Sequence, residues 1–151
     1  SLIAIDAKEI VSDTGELRRN WEKGIYTINT PRTQAAMGWI GGQKITLPDV
    51  SITTSTRNAA VVVQSLDGKP IGTSSRLMIS LGARAVLKSG QLPFYSEPVE
   101  GELSVAAAKG LKAYKKLAVN GELRQIAAPY RDGRYVIKLD RTLQTYWLFL
   151  R

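Results

Sequence analysis

The chain has 151 residues, 44% of them hydrophobic, which fits one soluble globular domain over residues 1–151. It lacks cysteine and histidine, which excludes disulfides, thiolate or imidazole metal sites and the serine–histidine–acid triad. Its 21 Lys and Arg against 13 Asp and Glu give a net charge of +8, and no apolar run approaches the about 18 residues of a membrane helix. We therefore expect no metal, no cofactor and no membrane partner.

The N-terminus begins at Ser1 without a methionine and then runs Leu-Ile-Ala-Ile-Asp. A signal peptide would show a basic segment followed by an apolar one, and this segment shows neither. We expect a domain excised from a longer protein.

Short runs that alternate apolar and polar residues indicate half-buried antiparallel strands. This pattern occurs at residues 76–81, 102–105 and 134–139, whereas residues 59–63 are apolar on both faces and predict a central strand. Asp67-Gly68 and Asp132-Gly133 predict short hairpin turns, because both residue types accept a positive φ. With roughly ten strands at this length, we predict an all-β fold, an antiparallel two-sheet β-sandwich of jelly-roll or immunoglobulin-like type with little or no helix.

Three segments are less regular than these strands. Residues 105–119 fit either an amphipathic helix or a strand, and the surrounding β pattern favours the strand. Residues 88–101 contain two prolines and two glycines, which predicts a long loop across the end of the sandwich. Residues 146–150 are apolar on both faces, so a second sheet, another domain or a ligand is expected to cover the outer side of that strand.

The charged residues give little indication of catalysis. Asp13 and Glu16 flank a turn, and three glutamates cluster at residues 97–102. Hydrolysis of a glycosidic bond needs two carboxylates on opposite sides of that bond, whereas acids spaced in turns usually cap or meet solvent. The basic residues are scattered, which favours a solvated surface over a dedicated polyanion site. We therefore predict no catalytic residue.

The aromatic residues are the most informative candidates for a site. Three Trp and six Tyr combine a flat ring with a polar group, and such rings stack on the apolar faces of sugars. Those with polar, loop or glycine-rich neighbours are predicted to face a sugar: Trp21, Trp39, Tyr95 and Tyr130. Arg32 and Gln34 alternate along an extended stretch and are the candidate polar partners. The alternative for each ring is a place in the core.

Several segments resemble a signature found in multidomain glycoside hydrolases. The most specific are Asp13-Thr14-Gly15-Glu16-Leu17 and Thr30-Pro31-Arg32-Thr33-Gln34, and further blocks occur at residues 64–71, 75–77, 110–121, 135–139 and 145–148. In that family the signature belongs to a C-terminal β-sandwich that follows a (β/α)₈ catalytic barrel. The resemblance implies a non-catalytic accessory module, an extracellular or periplasmic location, and the parent chain's catalytic domain as a partner.

Three functions remain open from the sequence. The first is a carbohydrate-binding module that recognises a polysaccharide or oligosaccharide through surface aromatic residues. The second is a structural domain that buttresses the catalytic barrel without binding sugar. The third, which we rank lowest, is a basic β module that binds nucleic acid through a charged aromatic face.

Overall fold

The computed structural model describes residues 7–88 and 91–151, with the backbone alone described for residues 85–88 and 91–95. This part of the chain forms strands and one 3₁₀ turn at Ile71–Thr73. The strands before that turn are β1 Glu9–Val11, β2 Leu17–Asn20, β3 Ile25–Asn29, β4 Thr33–Gly38, β5 Lys44–Thr46, β6 Val50–Thr54 and β7 Ala59–Ser65. Those after it are β8 Leu77–Ala83, β9 Ala85–Lys88, β10 Gln91–Ser96, β11 Gly101–Ala106, β12 Ala113–Lys116, β13 Leu123–Ile126, β14 Tyr130–Arg131, β15 Arg134–Leu139 and β16 Trp147–Leu150.

Two antiparallel sheets form a β-sandwich, as the alternating pattern predicts. The larger sheet has nine strands in the order β1-β2-β3-β4-β7-β8-β16-β12-β13, and the smaller has five in the order β14-β15-β11-β6-β5. Strands β9 and β10 form a separate two-stranded hairpin. The core between the sheets contains fully buried aliphatic residues from both of them, such as Val61, Ile79 and Leu148 from the larger sheet and Ile52, Leu103 and Ile137 from the smaller.

The predicted strands have their apolar positions on the core side. In β8, Leu77 and Ile79 are fully buried while Met78 between them is only partly covered, and β11 and β15 alternate in the same way. Strand β7 lies between β4 and β8, which confirms the central position expected for residues 59–63. Residues 105–119 contain no helix and contribute the end of β11 and the whole of β12.

Two predictions of loop structure are wrong. Residues 91–96 form strand β10, which pairs with β9. Of the long loop expected over residues 88–101, residues 97–100 form the connection from β10 to β11. Pro93 is tolerated because the pairing is irregular between Gln91 and Phe94, which leaves the proline without a register partner. Asp67-Gly68 does not form a short hairpin turn: residues 66–76 connect β7 to β8 in a longer loop.

The Asp67 carboxylate organises that longer loop. It accepts hydrogen bonds from the backbone N–H groups of Ser75 at 2.9 Å and Lys69 at 3.2 Å. It also accepts from the hydroxyls of Ser65 and Ser74, at 2.9 and 2.8 Å. These bonds, of which that from the Ser75 backbone is the strongest influence, hold the pKa of Asp67 well below its usual range.

A buried polar cluster links the two sheets. Gln34 of β4 donates from Nε2 to the Asp49 carboxylate at 2.8 Å, and its Oε1 accepts from the Asp49 backbone N–H at 2.9 Å. Arg134 of β15 donates to the Asp49 carbonyl at 3.0 Å. A buried amide is costly unless both of its ends are paired, so a shift of one sheet against the other would break these bonds at a cost in free energy. The cluster therefore fixes the position of the larger sheet on the smaller one.

Strand β16 occupies an interior position in the larger sheet although it lies far along the chain. It pairs with β8 on one side and with β12 on the other. The β12–β13 hairpin is therefore joined to the rest of the sheet through β16.

Candidate functional site

Two of the predicted ring residues lie at the same end of the larger sheet. Trp21 is in the turn from β2 to β3, and Trp39 follows the last residue of β4. Gly24, in the same turn as Trp21, lies directly against the Trp39 ring, so that a Cβ at this position would overlap the indole. Trp21 and Trp39 are 52% and 53% exposed, so both indoles can be reached from solvent.

The predicted polar partners are not near these rings. Arg32 lies before β4 and Trp39 after it, so seven residues of extended chain, about 23 Å, separate them. Gln34 is 1% exposed, and both ends of its amide are bonded to Asp49. Gln34 therefore lies in the core with its amide already paired, and it is not accessible to a sugar.

The remaining two rings also lie elsewhere. Tyr130 is in β14, an edge strand of the smaller sheet, and its ring packs on that of Tyr135 with the centroids 4.8 Å apart. Tyr130 is 38% exposed, whereas Tyr135 is buried. Tyr95 lies in β10, and its side chain is outside the described residues. The predicted set is thus distributed over separate surfaces.

Trp39 borders a groove of about 610 Å³, which we call the Trp39 groove. Its lining includes Met37, Gly38, Trp39, Asn58, Ala60, Gly82 and Arg84. Met37, Ala60 and Gly82 are register partners across β4, β7 and β8, and Gly38, Ala59 and Ala83 form the next row. The second row faces the core, where Ala59 is buried. On the outer row Ala60 carries only a methyl group and Gly82 no side chain, so the sheet surface is low beside the indole and an extended ligand can approach the backbone.

The position of the indole is set by backbone geometry. Gly24 and Gly38 both have positive φ, at 63° and 102°, and a Cβ on Gly38 would overlap the Gly24 carbonyl. This close approach lets the backbone N–H of Trp39 donate to the Gly24 carbonyl at 3.1 Å. Gln43 donates from its side chain to the Trp39 carbonyl at 3.2 Å. Hydrogen bonds therefore hold the Trp39 backbone in place, and with it the position from which the indole extends.

Trp21 differs from Trp39 in having a cationic side chain over its ring. The Arg19 guanidinium lies 3.2 Å from the ring centroid of Trp21, which is a close cation–π contact. One face of this indole is therefore covered. Trp39 is the better stacking platform of the two.

A second depression, of about 400 Å³, adjoins the first and shares Gly82 and Ala83 with it. Its lining includes the apolar side chains of Leu81, Val99 and Leu143 and the exposed ring of Tyr146. It also contains Glu97, Asp140 and Arg141. The Thr142 hydroxyl, followed by the Thr142 N–H, lowers the pKa of Asp140. Asp140 accepts these hydrogen bonds from within its own loop.

The outer face of the larger sheet is unusually apolar. Register partners on this face include Tyr26 with Met37, Ile28 with Ala35, and Tyr114 with Phe149 and Met78. Most of these side chains are only partly covered, while Trp147 and Leu17 on the same face are 42% and 39% exposed. A solvated sheet face normally carries polar residues, so this face has the composition of a contact surface.

Several residues of the Trp39 groove are absent from the sequence-based set. Asn58 and Arg84 come next to strands, and the small residues Gly82 and Ala60 looked like ordinary strand positions. A glycine within a strand, as in Leu81-Gly82-Ala83, is the signal that could have indicated a close approach of a ligand.

Across residues 7–88 and 91–151, no group of three or more Asp and Glu residues is arranged to hold a metal ion. The same part of the chain contains no helix long and apolar enough to cross a membrane. Comparisons of the chain with family models, with curated proteins and with solved structures gave no match.

Proposed function

We propose that this domain is a non-catalytic carbohydrate-binding module, and that the Trp39 groove is its binding site. The observation that supports the proposal is a half-exposed, backbone-fixed indole beside a row of small residues. A sugar ring could stack on the indole while the exposed Asn58 and Arg84 bond its hydroxyls. The resemblance to glycoside hydrolase accessory domains points to the same role, in a polysaccharide-degrading enzyme that works outside the cytoplasm.

Retention on immobilised glycans tests this proposal. Trp39→Ala should weaken binding by about 1–3 kcal/mol, or about 5- to 150-fold, by analogy with aromatic platforms for bases. The panel in affinity electrophoresis should include glucans, xylans, mannans and acidic polysaccharides.

The matched control is Trp147→Ala, which removes a comparably exposed indole from β16, away from the groove lining. It should leave retention unchanged. Melting temperatures of both variants show whether either change acts through the fold. If Trp39→Ala and the control have equal retention on every glycan, the groove is not the binding site.

A second candidate function is a structural one, and the apolar outer face of the larger sheet favours it. A partner domain that covers this face would bury the partly exposed Tyr26, Met37 and Phe149. The catalytic domain of a parent enzyme is the expected partner.

This candidate is tested by expressing the domain alone and joined to its parent catalytic domain. If the face is a docking surface, Met37→Lys should lower the melting temperature of the joined protein more than that of the isolated domain. Equal effects in both proteins would count against docking. Because Met37 also lines the groove, Phe149→Lys provides a variant outside it.

A further inference from the structure

We infer that the Trp39 groove takes an anionic polysaccharide, one whose sugars carry carboxylate or sulfate groups, in preference to a neutral one. This inference rests on the carbohydrate-binding function proposed above and adds the chemical class of the ligand.

The first evidence is the charge of the groove itself. Arg84 is the one charged residue in its described lining, and the remaining residues there are apolar or neutral. Arg57 directly precedes the lining residue Asn58, and both are exposed. The Arg57 carbonyl accepts a hydrogen bond from Gly41, two residues after Trp39, at 3.2 Å, which places this loop beside the indole. Two guanidinium groups thus belong to the segments that border the groove.

The second evidence comes from the neighbouring β2–β3 turn. Lys23 directly precedes Gly24, the residue against which the Trp39 ring packs. Arg19 holds its guanidinium over Trp21 of the same turn. The acid of this turn, Glu22, is paired with Lys8 at 3.3 Å, so its charge is offset. This end of the sheet is therefore positive on both sides of the indole.

One acid lies on a segment next to Arg84: the backbone N–H of Glu97 donates to the Arg84 carbonyl at 2.9 Å. Glu97 lines the second depression and not the Trp39 groove. The positive residues and the indole can therefore contact the same ligand. The indole stacks on a sugar ring, and the guanidinium groups pair with the acid groups of the polysaccharide.

The test compares polygalacturonate with its methyl-esterified form, which has the same backbone without the charge. In about 50 mM salt we expect wild-type protein to bind polygalacturonate at least about tenfold more tightly than the ester, and this preference should shrink as salt screens the charges. Arg84→Gln and Arg57→Gln should each weaken binding of polygalacturonate about 3- to 10-fold and leave binding of the ester unchanged.

Lys69→Gln is the matched control, since it removes one exposed positive charge from the loop after β7, at the opposite end of that strand. It should change neither affinity. Dextran sulfate against dextran distinguishes the acid group: a Trp39-dependent preference for dextran sulfate supports the inference and assigns a sulfate in place of a carboxylate.

The outcomes separate this inference from the proposed function. Equal, Trp39-dependent binding of polygalacturonate and its ester overturns the anionic preference and leaves the carbohydrate-binding function standing. If the protein binds every polyanion, including single-stranded oligo(dT), and Trp39→Ala has no effect, the anionic preference and the carbohydrate-binding function are both overturned. That result indicates a merely basic surface. Oligo(dT) binding that depends on Trp39 and exceeds binding of each polysaccharide would replace the ligand by a nucleic acid.

Discussion

Substitution of Gln34 by alanine tests whether the buried cluster between the sheets has a structural role. Gln34 is 1% exposed and makes two hydrogen bonds to Asp49, one to its carboxylate and one from its backbone N–H. A bond to a charged group contributes about 1.5–3 kcal/mol and a neutral one about 0.5–1.5 kcal/mol. Gln34→Ala should therefore lower the free energy of unfolding by about 2–4 kcal/mol, because it also leaves the Asp49 groups without their partner.

Urea unfolding followed by tryptophan fluorescence measures this change, and at this chain length the melting temperature should fall by about 4–16 °C. Gln125→Ala is the control, since Gln125 is an exposed glutamine on β13 and its loss should cost no more than about 0.5 kcal/mol. A loss below about 1 kcal/mol for Gln34→Ala would refute the structural role. Reduced glycan retention at unchanged stability would instead show that Gln34 contacts ligand.

Two further predictions concern single polar groups. Tyr135→Phe removes a hydroxyl that donates to the Ala108 carbonyl at 2.7 Å and accepts from the Leu111 N–H at 2.8 Å. We expect the free energy of unfolding to fall by about 1–3 kcal/mol and the Leu111 amide to exchange its hydrogen faster. Unchanged exchange would contradict this anchoring. Because the pKa of Asp67 is lowered in the folded protein, its carboxylate stabilises the fold at pH values above the unfolded pKa of about 4, and this stabilisation is lost as pH falls toward the folded pKa. Asp67→Asn should therefore lower the melting temperature at pH 7 and weaken its dependence on pH below about 4. Parallel curves of melting temperature against pH for the two proteins would disprove the linkage.

The fold was accessible from the sequence because period-two patterns report directly on burial. Leu103 and Ile137 alternate with polar residues, and both lie in the core. Asp132-Gly133 forms the predicted two-residue turn between β14 and β15, with φ of 51° and 79°. Asp67-Gly68 has the same composition but a different outcome, because the Asp67 carboxylate is bonded within a longer loop. Local sequence does not distinguish a turn from a carboxylate that organises a loop.

The candidate site was harder to predict, because it depends on which strand ends become neighbours. Trp39 was predicted from its glycine-rich surroundings, and it is half exposed. Arg32 was predicted as a polar partner because it alternates with Gln34 in an extended stretch, but strand β4 places Arg32 and Trp39 at opposite ends of the sheet. Arg84 comes to the groove because β8 runs beside β7, and β7 beside β4, a fact of topology that no local pattern contains.

The interior position of β16 has a consequence for synthesis on the ribosome. Strand β12 has β16 and β13 as its neighbours, so the β12–β13 hairpin cannot join the larger sheet before residues 147–150 have left the exit tunnel. Until then β8 exposes an unpaired edge and its apolar side chains, the condition under which nascent chains associate with each other. Sheet closure therefore waits for almost the full length of this sequence, and a deletion of these four residues would leave the β12–β13 hairpin unattached.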